Sequence, residues 1–248
     1  MGTRVFGPLL MPVLYFQGRR VRRTVPVLPE PPGAREGRRG PAVAAAARRR
    51  PELRLLVVGD SAAAGVGAPS QDVALLGRLV DALASDGPVV WRLVARTGAT
   101  AAGTRRHLAT LEPEPFDVAV TSLGLNDLTA GRKPAAVLAD VVAVVELLRT
   151  RFGVRHVVLT ALPPVGQFPA VPEPLRGYLA RRARVLDDAL RAWAATASDV
   201  EHLPLDDEFD PAAMAPDGFH PGPALYAFWA RAAAERIAAW RDGQPGPG

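Results

Sequence analysis

Along the chain, short unbroken apolar runs alternate with stretches in which apolar residues recur every three or four positions. Residues 53–58, Leu-Arg-Leu-Leu-Val-Val, are almost wholly aliphatic and stop at Gly59. Such a run predicts a strand covered on both faces and ended by a tight turn. Over 73–83, Leu75, Leu76, Leu79, Val80 and Leu83 share one helical face. Pro88 precedes a second strand at 89–95, and a helix over 100–111 is closed by Pro113 and Pro115. A third strand, 117–123, again ends in glycine, Gly124. Pro134 opens a long helix to 151 with Val137, Val141, Val144, Val145 and Leu148 as its buried stripe, and Gly153 ends it. A fourth strand at 154–162, a helix over 175–197, a fifth strand at 199–205 and a last helix over 222–240 follow. The loop over 163–174 is long enough to have a function of its own. Strands alternating with helices at this spacing predict a parallel sheet with helices on both faces.

The first 52 residues lack that pattern and change the picture of charge. Residues 1–50 hold eleven Arg and two Glu, a net +9, whereas the remainder holds 19 basic and 23 acidic residues, a net −4. The basic pI therefore belongs to a leader, and a nucleic-acid partner argued from it is not expected. The apolar stretch 5–16 is interrupted by Gly7, Pro8 and Pro12 and is too short to span a bilayer. Arg19, Arg20, Arg22 and Arg23 follow it, the reverse of a secretory signal, and Phe6 stands where a myristoylation motif needs Ser or Thr. Two readings of the leader stand: a poorly ordered basic segment on a cytoplasmic protein, which is favoured, and a peripheral membrane anchor. The division is then 1–52 leader, 53–241 globular domain and 242–248 flexible tail. On this reading a chain starting near Pro51 stays folded and active. With no cysteine among 248 residues, disulfide scaffolds, thiolate catalysis and Cys-ligated metal sites are excluded.

Candidate chemistry lies at the strand ends. Ser61 follows the first strand in Gly59-Asp-Ser, Gly98 follows the second, and Gly124-Leu-Asn126-Asp127 follows the third. Asp217-Gly-Phe-His220 precedes the last helix. A right-handed doubly wound sheet brings these loops to one edge. The residue types suit acyl transfer: a serine hydroxyl needs a base, and histidine needs a carboxylate to set its tautomer. The Ser61 amide, the Gly98 amide and the Asn126 side chain are donors of the kind an oxyanion requires. Taken singly, each block also reads as a turn or a helix cap.

Together, in this order, the four blocks resemble the SGNH (GDSL-type) hydrolases over about residues 53–240. The resemblance implies Ser61 as nucleophile, His220 as base, Asp217 as its orienting carboxylate, and Ser61, Gly98 and Asn126 as the oxyanion hole. One departure is Ala62, where leucine is typical. Gln17-Gly-Arg-Arg and Leu28-Pro-Glu-Pro in the leader also resemble the N-termini of some bacterial members. Asp60 and Asp127 read as structural acceptors, and His107, His156 and His202 receive no role. Asp206, Asp207, Glu208 and Asp210 lack calcium-loop spacing and read as a solvated acidic turn.

The expected fold is a flavodoxin-like three-layer α/β/α sandwich with a five-stranded parallel sheet. The expected function is cleavage of carboxylic esters, small-molecule or lipid, through an acyl-enzyme without metal or cofactor. An acyltransferase or thioesterase would use the same residues, and a membrane- or nucleic-acid-docking module is the alternative of a different class. Phe168, in the 163–174 loop, is expected to line an acyl pocket.

Overall fold

A computed structural model describes residues 10–40, 50–205 and 209–244. The acidic run at 206–208 and the end of the expected tail, 245–248, lie outside the described residues. A first helix, α1 (Met11–Thr24), and a short strand, β1 (Glu36–Arg39), precede the expected domain. Within it the order is β2 (Leu53–Gly59), α2 (Leu75–Ala84), β3 (Val89–Ala95), α3 (Ala101–Thr110), β4 (Val118–Ser122) and α4 (Leu125–Thr129). Then come α5 (Pro134–Phe152), β5 (His156–Thr160), α6 (Leu175–Ala194), β6 (Val200–Leu203) and α7 (Pro223–Asp242).

The sheet order is β1-β3-β2-β4-β5-β6. All neighbours from β3 to β6 are parallel, with Gly59 level with Ala95 on one side and Ser122 on the other. Alternate residues of β2 enter opposite cores. Leu55 and Val57 pack with Leu75, Leu79, Tyr226, Trp229 and Ile237 from α2 and α7. Leu56 and Val58 pack with Leu108, Val144, Leu148 and Leu186 from α3, α5 and α6. A strand clamped between two helical layers has no polar face to offer, which is why its sequence is continuously aliphatic.

The leader departs from expectation. The sheet has six strands, not five, because β1 adds antiparallel to β3, pairing Glu36 with Arg92 and Arg39 with Val89. Its Glu-Gly-Arg-Arg sequence has no apolar alternation because this edge strand is held by main-chain hydrogen bonds and faces solvent. Gly37 pairs with Trp91 and abuts its indole, where a Cβ would come within 2.6 Å of the ring. Helix α1 buries Leu14 and docks through Gln17, which donates to the Glu173 carbonyl (2.6 Å) and accepts from the Leu175 amide (3.1 Å). Residues 10–40 are thus built onto the domain, and the expectation of a poorly ordered segment ending at 52 is corrected for them.

Candidate active site

The sharp exit from β2 presents Ser61 at the C-terminal edge of the sheet. Backbone bonds from Ala64 N to Asp60 O (2.9 Å) and from Val66 N to Ser61 O (3.0 Å) fix the turn. The Asp60 carboxylate accepts from Ala62 N at 3.1 Å. Burial pushes the Asp60 carboxyl up to about 6, against the opposing pull of the turn amides and His220. Tyr226 of α7 donates to the Val66 carbonyl at 2.7 Å, tying the serine loop to the helix that follows the histidine.

Asp217 is buried in the loop before α7. Its Oδ1 accepts from the amides of Phe219 and His220, both at 3.0 Å, and its Oδ2 lies 2.6 Å from His220 Nδ1. Burial alone would raise this carboxyl, but the hydrogen bonds from the His220 ring and from the two amides outweigh it and hold the group below its ordinary value. His220 Nε2 lies 2.9 Å from Ser61 Oγ. With Asp217 ionised, the proton belongs on Nδ1, leaving Nε2 to accept from the serine hydroxyl. Asp217, His220 and Ser61, separated by as many as 159 positions along the chain, therefore form one unbroken line of hydrogen bonds.

Gly98 and Asn126 come to the same edge. Gly98 has φ +77°, a conformation that disfavours a side chain. Asn126, in α4, donates from Nδ2 to the Ala99 carbonyl at 3.0 Å, leaving its second N–H for another acceptor. Among the described residues, the Ser61 and Gly98 amides donate to no protein acceptor. Asp127 is fully buried, and its Oδ2 accepts from Ala101 N at 2.9 Å, the structural part expected of it.

An apolar cleft opens beside Ser61, Asn126 and His220, with Leu123, Leu162, Phe168, Phe209 and Phe219 in its walls. Phe168 was expected from the sequence. Phe209 and Phe219 were not, and only their contacts with Phe168 reveal them, Phe209 stacked at 6.1 Å and Phe219 edge-on at 5.4 Å between ring centres. The unassigned histidines lie elsewhere: His202 bonds Asp187 at 3.0 Å, and His156 stacks on Trp240. Among the described residues no group of His, Asp and Glu is arranged to hold a metal ion.

The sequence and the fold have known counterparts. A family profile of GDSL-like lipases and acylhydrolases matches residues 57–228. The chain belongs to that family. No curated protein matches it. Among solved structures, a G-D-S-L family protein from Veillonella parvula is 18% identical and superposes with a TM-score of 0.61, covering 75% of this chain and 98% of that one. The esterase EstA from Pseudoalteromonas sp. is also 18% identical, with a TM-score of 0.57 over 77% of this chain and 99% of its own. The aryl esterase of M. smegmatis is 20% identical, with a TM-score of 0.55 over 75% and 99%. At such identities the superpositions establish the shared α/β/α fold, and the family membership rests on the profile.

Proposed function

We propose that this GDSL-family chain is a serine esterase that forms and hydrolyses an acyl-enzyme on Ser61. The observation that carries the reading is the Asp217–His220–Ser61 line, at 2.6 and 2.9 Å. Ser61 Oγ attacks the ester carbonyl carbon while His220 Nε2 takes its proton, and Asp217 stabilises the imidazolium. The carbonyl oxygen becomes an oxyanion facing the Ser61 and Gly98 amides and the free Asn126 N–H. The tetrahedral species collapses as the alkoxy oxygen leaves with the proton from His220. Water, deprotonated by the same nitrogen, then releases the acid and regenerates the serine. The aliphatic and aromatic walls of the cleft favour an apolar acyl or aryl group over an acetylated sugar, whose hydroxyls would need polar partners.

The test is a fluorophosphonate probe with a series of p-nitrophenyl esters of increasing acyl length. Labelling at Ser61, and turnover that Ser61→Ala removes by roughly six orders of magnitude in kcat, are expected. Full turnover by Ser61→Ala overturns the assignment. Transfer of the acyl group to an added alcohol in preference to water would make the enzyme an acyltransferase.

A bilayer contact through α1 belongs to the same reading. Met11, Val13, Tyr15 and Phe16 are exposed at its first turns, and Arg19, Arg20, Arg22 and Arg23 follow in the next. An apolar tip with a basic collar matches an anionic lipid surface. Among the described residues no helix is long and apolar enough to cross a membrane.

A further inference from the structure

Oxyanion stabilisation is a matter of tenths of an ångström, because donors act only when about 2.7–3.1 Å from the developing charge. Gly98 is poorly placed to secure its own amide. Nothing beyond its chain neighbours lies within 4 Å of where its Cβ would stand, and the turn around it is closed by the Ala99 amide donating to the Arg96 carbonyl (3.0 Å), so its position depends on hydrogen bonds made by its neighbours. On the far side, Asn126 holds Ala99 O and Asp127 holds Ala101 N. On the near side Arg96 N donates to Gly59 O (3.2 Å), and the residue next to Gly98 is held from the leader. Glu30 Oε1 accepts from both Thr97 N (2.7 Å) and Thr97 Oγ1 (2.9 Å).

Glu30 is itself held in place. Its other carboxylate oxygen pairs with Arg35 Nη1 at 2.9 Å, and Arg35 also donates to the Ala95 carbonyl at the end of β3. The Arg35 carbonyl accepts from Leu93 N at 2.6 Å. Two residues after Glu30, Pro32 O accepts from Gln71 N at 2.9 Å, and Gln71 Nε2 donates to the Ala64 carbonyl at 2.9 Å in the loop that follows Ser61. Residues 30–35 therefore bind the loop of the nucleophile and the loop of Gly98 at once. Although partial burial opposes it, the Thr97 amide, the Thr97 hydroxyl and Arg35 hold the Glu30 carboxyl below its ordinary value. It is an anion at neutral pH, and charge-assisted bonds of this kind are the stronger ones.

We propose that Glu30 is a positioning residue of the esterase: acting through Thr97, it sets the Gly98 amide at the oxyanion from a segment outside the family-matched stretch 57–228. The proposal rests on the esterase reading and on Gly98 as an oxyanion donor. It makes the leader part of the catalytic framework, where the sequence had suggested a dispensable extension.

The experiment uses the full chain with Glu30→Ala and Glu30→Gln, reading kcat and KM on a short p-nitrophenyl ester, hydrogen exchange of the Thr97 amide, and thermal unfolding. Glu30→Ala is expected to lower kcat by about 10–100-fold, less than outright removal of a donor, with KM changed less than about twofold. Its Thr97 amide, deprived of an acceptor, should exchange faster. Glu30→Gln keeps an oxygen for Thr97 and should recover most of kcat and the slow exchange. Wild-type kcat in Glu30→Ala overturns the proposal. So does an equal loss in Glu30→Gln and Glu30→Ala that tracks a fall in Tm, because the role would then be charge-dependent stability alone. The two readings fail separately. A wild-type protein that neither labels with fluorophosphonate nor turns over ester overturns the esterase reading. An active, labelled wild type with an indifferent Glu30→Ala overturns only the role of Glu30.

Discussion

Asp60→Asn isolates the energetic consequence of placing a carboxylate beneath the nucleophile. Burial pushes the Asp60 carboxyl from its ordinary 3.8 to about 6. Between those values the folded protein holds a proton that the unfolded chain has lost, so folding stability falls as pH rises through the window and levels off above about 6. At about 1.36 kcal/mol per pKa unit the full effect is roughly 3 kcal/mol, of which about 2 kcal/mol develops between pH 4 and pH 7. Asparagine keeps an oxygen for the Ala62 amide (3.1 Å in the wild type) and cannot ionise. Urea unfolding of both proteins across this range removes every other titration common to them. The stability of Asp60→Asn relative to wild type should climb by roughly 2 kcal/mol from pH 4 to pH 7, or about 4–8 °C in Tm for a chain of this size. A difference that stays flat across the range would refute the reasoning. The Ala62 amide, the Ser122 hydroxyl and their neighbours would then compensate the buried charge in full.

Other outcomes follow from the site and the leader. Asn126→Ala should lower kcat by about 10²–10³-fold with KM little changed, and a pure rise in KM would make Asn126 a ground-state binder. A chain beginning at Pro51 loses β1, the α1 contact through Leu14 and the acceptor of Thr97. It should melt several degrees lower and turn over ester no faster than Glu30→Ala, as measured by calorimetry and initial rates. The full chain should sediment with phosphatidylserine vesicles at low salt, with each surface-bound arginine contributing about 1 kcal/mol. Tyr15→Ser with Phe16→Ser should weaken that binding, and binding unaffected by salt or by these changes would discard the contact.

The strands and the order of the chemical blocks were legible in the sequence because each rests on local chemistry. A strand covered on both faces must be aliphatic throughout, as 53–58 is, and the turns at its end admit few residue types. Asp217 and His220 share one loop, so their pairing needs only a three-residue spacing. The leader was opaque for equally local reasons. Pro12 reads as a helix breaker, yet it stands in the first turn of α1, where no intrahelical bond is lost. β1 is an edge strand joined by main-chain bonds that any sequence can supply, so its charged residues show no alternation. Distance along the chain decided the rest. The 2.9 Å approach of His220 to Ser61, the closing of Phe168, Phe209 and Phe219 around one cleft, and the grip of Glu30 on Thr97 across 67 positions exist only once the sheet has brought those segments to one edge. Periodicity records what a residue packs against in its own layer, and it holds no record of which distant loop will meet it.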